Sequence, residues 1–239
     1  MLNKKYRFII GALFILLACE EDIKVDFSEI NISSENNKIV EVYIPNAIGN
    51  KDVATNINSA IEKIVIAALH IGEPDNITSK SIETSITAFN NEYVAFINDF
   101  PETSPPWEAQ IDGEVLYQSP EIISVAITSY TNTGGAHGTL NISFENFNSQ
   151  TGLPITNLEL FNDIDAFKKL AKSYLDKSIE NKNILFDPLE FELPNNIAYS
   201  EEGLILLYNT YEIAPYTAGV IEFVIPFNKA KSLLVFNSL

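Results

Sequence analysis

At Pro105-Pro106 the spacing of apolar residues switches from three-to-four to two, and this switch limits the fold more than any other feature of the chain. Before it, Val53, Ile57, Ile61, Ile64, Val65, Ala68 and Leu69 fall on one face of a helix over 52–70, which Gly72 and Pro74 end. Ile82, Ile86, Phe89, Tyr93, Phe96, Ile97 and Phe100 repeat the pattern in a second helix, up to Pro101. After it, Trp107, Ala109, Ile111, Val115 and Tyr117 take one side of a strand, and Glu108, Gln110, Asp112 and Glu114 the other. Ile123, Val125 and Ile127, then Leu140, Ile142 and Phe144, mark two more strands. Their short connections predict an antiparallel meander. Upstream, Val40, Val42 and Ile44 make a short strand that Pro45 stops.

Downstream the helical period returns. Asn162 or Asp163 caps a helix whose apolar face is Ile164, Phe167, Leu170, Ala171, Tyr174, Leu175 and Ile179. Strand signals follow at Phe191 and Leu193, at Ile197 and Tyr199, over Leu204 to Tyr208, and at Ile221, Phe223 and Ile225. The run 204–208 is apolar on both faces, as in a covered central strand. The expected order is β-α-α-βββ-α-βββ, with helices and antiparallel strands grouped rather than alternating, which is an α+β fold. Residues 38–239 read as a single domain with subregions of about 38–150 and 151–239.

The N-terminus reads as an address. Lys4, Lys5 and Arg7 precede an apolar run of ten residues, Phe8 to Leu17, too short for a permanent bilayer span. This is the pattern of a signal peptide over 1–18. Leu16-Leu17-Ala18-Cys19 resembles a bacterial lipobox, in which the cysteine becomes the lipidated N-terminus, and Cys19 is the only cysteine in the chain. Glu20, Glu21 and Asp22 follow, and an acidic cluster after the lipidated residue resembles a surface-export signal. The expected location is the bacterial envelope, on the cell surface or in the periplasmic leaflet of the outer membrane. Residues 19–37, polar and acidic without clear period, read as a tether.

Residues 19–239 carry 12 positive and 32 negative charges, a net of −20. Such a field repels nucleic acid and attracts cationic partners. A lone cysteine excludes an intrachain disulfide, a zinc finger and an iron–sulfur cluster. Neither a cofactor nor a metal is expected, and no G-x-S-x-G, H-E-x-x-H or Walker loop marks an enzyme. The expectation is therefore a protein without catalytic residues.

Two connections stand out. Thr133-Gly134-Gly135-Ala136-His137-Gly138 joins two strands, with three glycines that supply positive φ or close backbone approach. It is weak as a phosphate cradle, because neither a helix nor a Lys-Ser/Thr pair follows. His137 reads as a base or metal ligand, or as a side chain hydrogen-bonded to loop backbone, and the absence of a nearby second histidine favours the latter. Tyr211-Glu212-Ile213-Ala214-Pro215-Tyr216-Thr217-Ala218-Gly219 is the second, a rigid connection carrying amphipathic aromatics. Gly134, Gly135, His137, Gly138, Tyr211, Tyr216 and Gly219 are thus the candidate ligand-binding or structural loop residues.

Together with Phe147 to Gly152, Leu160-Phe161, Gly203-Leu204 and Phe223-Val224-Ile225-Pro226, these stretches resemble a bacterial extracytoplasmic family over about residues 38–230. That family includes the outer domain of the lysozyme-sensing anti-sigma factor RsiV and the non-catalytic N-terminal region of a peptidoglycan N-acetylmuramic acid deacetylase. The resemblance implies an α+β domain without catalysis of its own and, from the anti-sigma member, a lysozyme partner. The sequence shows neither a sigma-binding segment nor a deacetylase domain, which leaves a stand-alone lipoprotein version. Two functions are expected in turn. One is binding of a cationic protein such as lysozyme, in an inhibitory, sequestering or sensing role. The other is binding of peptidoglycan or another glycan, for which Trp107 and the tyrosines at 117, 130, 211 and 216 offer stacking faces. A cell-wall hydrolase or deacetylase is the less favoured third.

Overall fold

A computed structural model describes residues 24–34, 38–101 and 105–237. The signal peptide and Cys19 lie outside the described residues. The strands are β1 (Val25–Ser33), β2 (Val40–Gly49), β3 (Glu108–Gln118), β4 (Ile122–Asn132), β5 (Thr139–Asn148), β6 (Pro154–Ile155), β7 (Asn196–Tyr199), β8 (Gly203–Tyr208) and β9 (Ile221–Pro226). The helices are α1 (Lys51–Leu69), α2 (Ile82–Asp99), α3 (Ile164–Ser178) and the single turn α4 (Phe227–Ala230). The class is α+β, in roughly the expected order, with the strands in a six-stranded sheet β1-β2-β3-β4-β5-β6 and a three-stranded sheet β7-β8-β9. All neighbours are antiparallel except β2 and β3, which α1 and α2 connect.

Local chemistry sets the helix starts. The Asn50 side-chain oxygen accepts from the Asp52 and Val53 amides, Ser81 caps α2 through the Thr84 amide, and Asp163 caps α3 through the Ala166 amide. The 3.6-residue apolar stripes then bury two separate cores. In the first, Ile57, Ile61, Val65 and Leu69 of α1 and Ile86 and Phe89 of α2 cover Val42, Ile111, Ile123, Val125 and Ile127 of the large sheet. In the second, Phe167, Ala171 and Leu175 of α3 pack with Ile197, Tyr199, Leu204, Leu206, Phe223 and Ile225. β4 serves both, because its alternate residue Ile122 faces the second core. This explains six consecutive buried residues over 122–127.

A polar seam joins the two sheets. Asn146 on β5 is buried; its side-chain oxygen accepts from the Ser124 hydroxyl at 2.6 Å, and its amide nitrogen donates to the Ile197 carbonyl at 2.7 Å. The Ser124 oxygen in turn accepts from the Tyr199 amide. Along the same strand the Asn196 side-chain oxygen accepts from the Phe144 amide at 2.8 Å. The Asn209 side chain both accepts from the Ile142 amide and donates to the Ile142 carbonyl, at 2.9 and 2.8 Å. Asparagine side chains thus satisfy backbone groups of β5 that β6, only two residues long, does not reach.

Three expectations need correction. Residues 25–33 of the expected tether form β1, in unbroken register from Val25↔Gly49 to Ser33↔Glu41. Its apolar residues Phe27, Ile30 and Ile32 break period two, and only the pairing with β2 makes the strand visible. Pro45 does not stop β2: it sits beyond the last β2–β3 pair, Tyr43↔Asp112, where Gly113 leaves room for its ring. Phe191 and Leu193 lie in a loop between Pro188 and Pro194, with Phe191 beneath the Lys172 ammonium at 5.8 Å.

Asn146→Ala strips two partners from buried positions, leaving the Ile197 carbonyl and the Ser124 hydroxyl short of a bond. It should cost about 2–4 kcal/mol in urea unfolding. The exposed Ser28→Ala should cost under about 0.5 kcal/mol. Equal losses in the two variants would show that the seam contributes nothing special.

Candidate functional site

The loop 133–138 leaves β4 and returns as β5, at the end of the sheet where Glu108 pairs with Asn132. Gly134 has φ +88°, and its amide donates to the Asn132 side chain at 2.9 Å. It lies against Trp107, whose indole would be 3.5 Å from a Cβ at this position. Gly138 lets the chain pass flush with Tyr130, since any Cβ there would collide with the phenol ring. Gly135 has neither a positive φ nor a close neighbour other than its own loop backbone. The three glycines are therefore not equivalent: 134 and 138 shape the loop and 135 does not.

The second loop is anchored to the seam. Asn209, whose side chain holds β5, also donates its amide to the Glu212 carboxylate at 2.8 Å, and the other carboxylate oxygen accepts from the Asn195 amide. The Asn209 carbonyl accepts from the Glu212 amide, closing a turn that places Tyr211 at φ +68°. A bulky aromatic residue in the left-handed region is strained by about 1–3 kcal/mol and persists only where its surroundings dictate it. Gly219, at φ +71° with open space around it, ends the short helical turn Tyr216–Ala218.

These loops meet. The His137 ring stacks on Tyr216 with centroids 4.9 Å apart and planes 23° from parallel, and Tyr211 lies 5.8 Å from Tyr216. All three side chains are exposed, Tyr211 at 62%. The expected hydrogen bond from His137 to loop backbone is not formed: among the described residues the imidazole makes only the ring contact, because the loop turns it outward. Of the other proposed stacking residues, Tyr130 lies against Gly138 at the base of the loop, and two are placed elsewhere. Trp107 is buried against Phe89, Tyr93 and Phe96, and Tyr117 packs on Tyr199 and Phe227.

Behind the tyrosine loop lies a cavity of about 220 Å³ whose apolar floor includes Leu185, Phe191 and Ile213 and whose rim includes Asp187, Glu190 and Glu212. The Phe186 amide donates to the Ile213 carbonyl and ties this wall to the loop. Tyr208, on the same wall, donates to the Glu192 carbonyl at 2.6 Å, and burial pushes its phenol far above the usual tyrosine range. No group of three or more His, Cys, Asp or Glu among the described residues could hold a metal ion. What the surface offers is aromatic faces, a histidine and nearby carboxylates, a set suited to contact with a macromolecule. Sequence reasoning missed Asn209 and Glu212. Their spacing, an asparagine with an acid three residues on, is a turn signature that was open to it.

The structure is an α+β module with two cores and an exposed aromatic cluster. Comparison with known proteins agrees with this fold. Residues 32–139 match the family model described as deacetylase PdaC, and residues 157–228 match a family described as a protein of unknown function, DUF3298. A DUF3298-family structure from Bacteroides fragilis superposes with a TM-score of 0.67 at 17% identity, covering 89% of this chain and 94% of its own. Another from Pseudomonas aeruginosa gives 0.59 at 16% identity, covering 91% and 97%. The chain shares the fold of these proteins over about nine-tenths of its length. No curated protein matches the sequence.

Gly134→Ala places a Cβ in the left-handed region, and Gly138→Ala drives one into Tyr130; each should lower stability by about 1–2 kcal/mol. Gly135→Val should stay within about 0.5 kcal/mol of the parent. Thermal melting of the three variants separates these roles, and a Gly135→Val loss equal to the others would contradict the assignment.

Proposed function

We propose that the protein is a lipid-anchored binding protein of the bacterial envelope that docks a cationic protein, with lysozyme-like muramidases the leading candidates. The observation that carries this reading is the convergence of two loops, far apart in sequence, on one exposed His137–Tyr216–Tyr211 surface. Aromatic side chains held rigid before binding lose little entropy on contact, which is what interface anchors require. The family matches fit an extracytoplasmic binding or cell-wall-related module. The net charge of −20 over residues 19–239 would speed encounter with a cationic partner and make it salt-sensitive. Its role would be to inhibit, sequester or sense that partner.

Retention of lysozyme on immobilised residues 20–239 at low and physiological salt tests the partner. His137→Ala and Tyr216→Ala should each weaken binding about ten-fold or more while changing stability by less than about 1 kcal/mol. No retention in either buffer sinks the reading. The exposed tyrosine faces also favour a second one, stacking on peptidoglycan sugars; co-sedimentation with insoluble peptidoglycan that Tyr216→Ala abolishes would select it.

The anchor has its own test. Cells fed a fatty-acid analogue should label the parent protein and leave Cys19→Ala unlabelled and released from the membrane. Label that persists in Cys19→Ala would refute this attachment point.

A further inference from the structure

The ladders fix which end of the molecule an anchor would hold. Val25 pairs with Gly49, Gln118 with Ile123 and Ile122 with Asn148, so these residues mark one end of the six-stranded sheet. Ser33, Val40, Glu108, Asn132 and Thr139 mark the opposite end, which bears the loop 133–138 and, stacked on it, Tyr216. Lys24 is held at the first of these ends: its carbonyl accepts from the Asn50 amide at 3.0 Å and its ammonium donates to the Gln150 carbonyl. From Cys19 to Lys24 the backbone can span no more than about 18 Å even when fully extended. Around that point the surface carries exposed Ile48 and Leu153, at 47% and 54%, together with Lys51. Asp26 and Asp52 lie at the same end, so charge alone gives no reason for it to adhere to anionic lipid.

We infer that this end rests on the lipid headgroups and that the aromatic cluster points away from them. The inference rests on lipidation of Cys19. The eleven residues of β4 separate the two ends by about 33 Å. The cluster therefore meets a soluble macromolecule arriving from the aqueous phase, and lipid or a bilayer-embedded partner lies out of its reach.

Because Cys19 is the only cysteine, and lipidation consumes its thiol, one introduced cysteine in the lipidated protein can be labelled alone. Lys51→Cys and Glu108→Cys place a fluorophore at exposed positions at the two ends. In vesicles containing headgroup spin-labelled phosphatidylcholine, a contact quencher, Lys51→Cys should be quenched at least three-fold more than Glu108→Cys. Inserting twenty Gly/Ser residues between Glu21 and Asp22 should erase most of that difference. Equal quenching, or more at position 108, in protein that carries fatty-acid label overturns the orientation and leaves the anchor standing. Absence of the label removes the anchor and the orientation together. Lysozyme retention by residues 20–239, measured separately, reports on the docking surface whichever result is obtained.

Discussion

The buried Asn146 amide is the interaction on which the rest of the structure depends. Ile122 and Tyr117 of the large sheet pack into the second core, but apolar contact is non-directional and does not by itself set the relation of the two sheets. Ser124, Asn146, Asn196 and Asn209 supply the direction by bonding backbone atoms across the boundary. A polar group buried without a partner costs more than a satisfied one gains, so a shifted docking would leave several such groups unpaired at once. The seam therefore penalises alternatives as much as it stabilises the observed arrangement. It also closes part of the β5 edge that an unpaired strand would leave open.

The seam and the candidate site are mechanically one device. Asn209 holds β5 with its side chain and the Tyr211 turn with its main chain. The energy that keeps Tyr211 in the left-handed region comes from this anchoring rather than from the tyrosine itself, whose side chain is mostly exposed. On the facing loop, the order runs from Trp107 through Gly134 to His137. Each half of the aromatic cluster is thus built out from a different core, and the stack forms only when both halves are in place.

Periodicity made the three long helices and the central meander legible, because their apolar residues repeat on one face over many turns or alternate cleanly along a strand. β1 was hidden: its exposed side carries Asp26, Ser28 and Asn31, and its apolar residues fall out of phase between Phe27 and Ile30. Phe191 and Leu193 misled for the opposite reason, an alternating pair that tertiary packing places in a loop between two prolines. At the site, the sequence marked both loops by their glycines and aromatics. It gave no means of telling that they touch, since Gly138 and Tyr211 are far apart along the chain. Nor did it separate Trp107 and Tyr117, which pack inside, from Tyr211 and Tyr216, which do not. Aromatic residues look alike in sequence whether they fill a core or face water.

Trp107 is the chain's only tryptophan, and it lies in the first core among three aromatic rings, directly beneath Gly134. Its emission is therefore an optical gauge of one half of the molecule. Loss of the first core or displacement of the glycine loop will change its colour and intensity, whereas loosening of α3 and β7–β9 will leave it unchanged as long as the first core holds. Far-ultraviolet dichroism sees both halves together. Disagreement between the two signals along a denaturation curve would mark a state in which one core has melted and the other has survived.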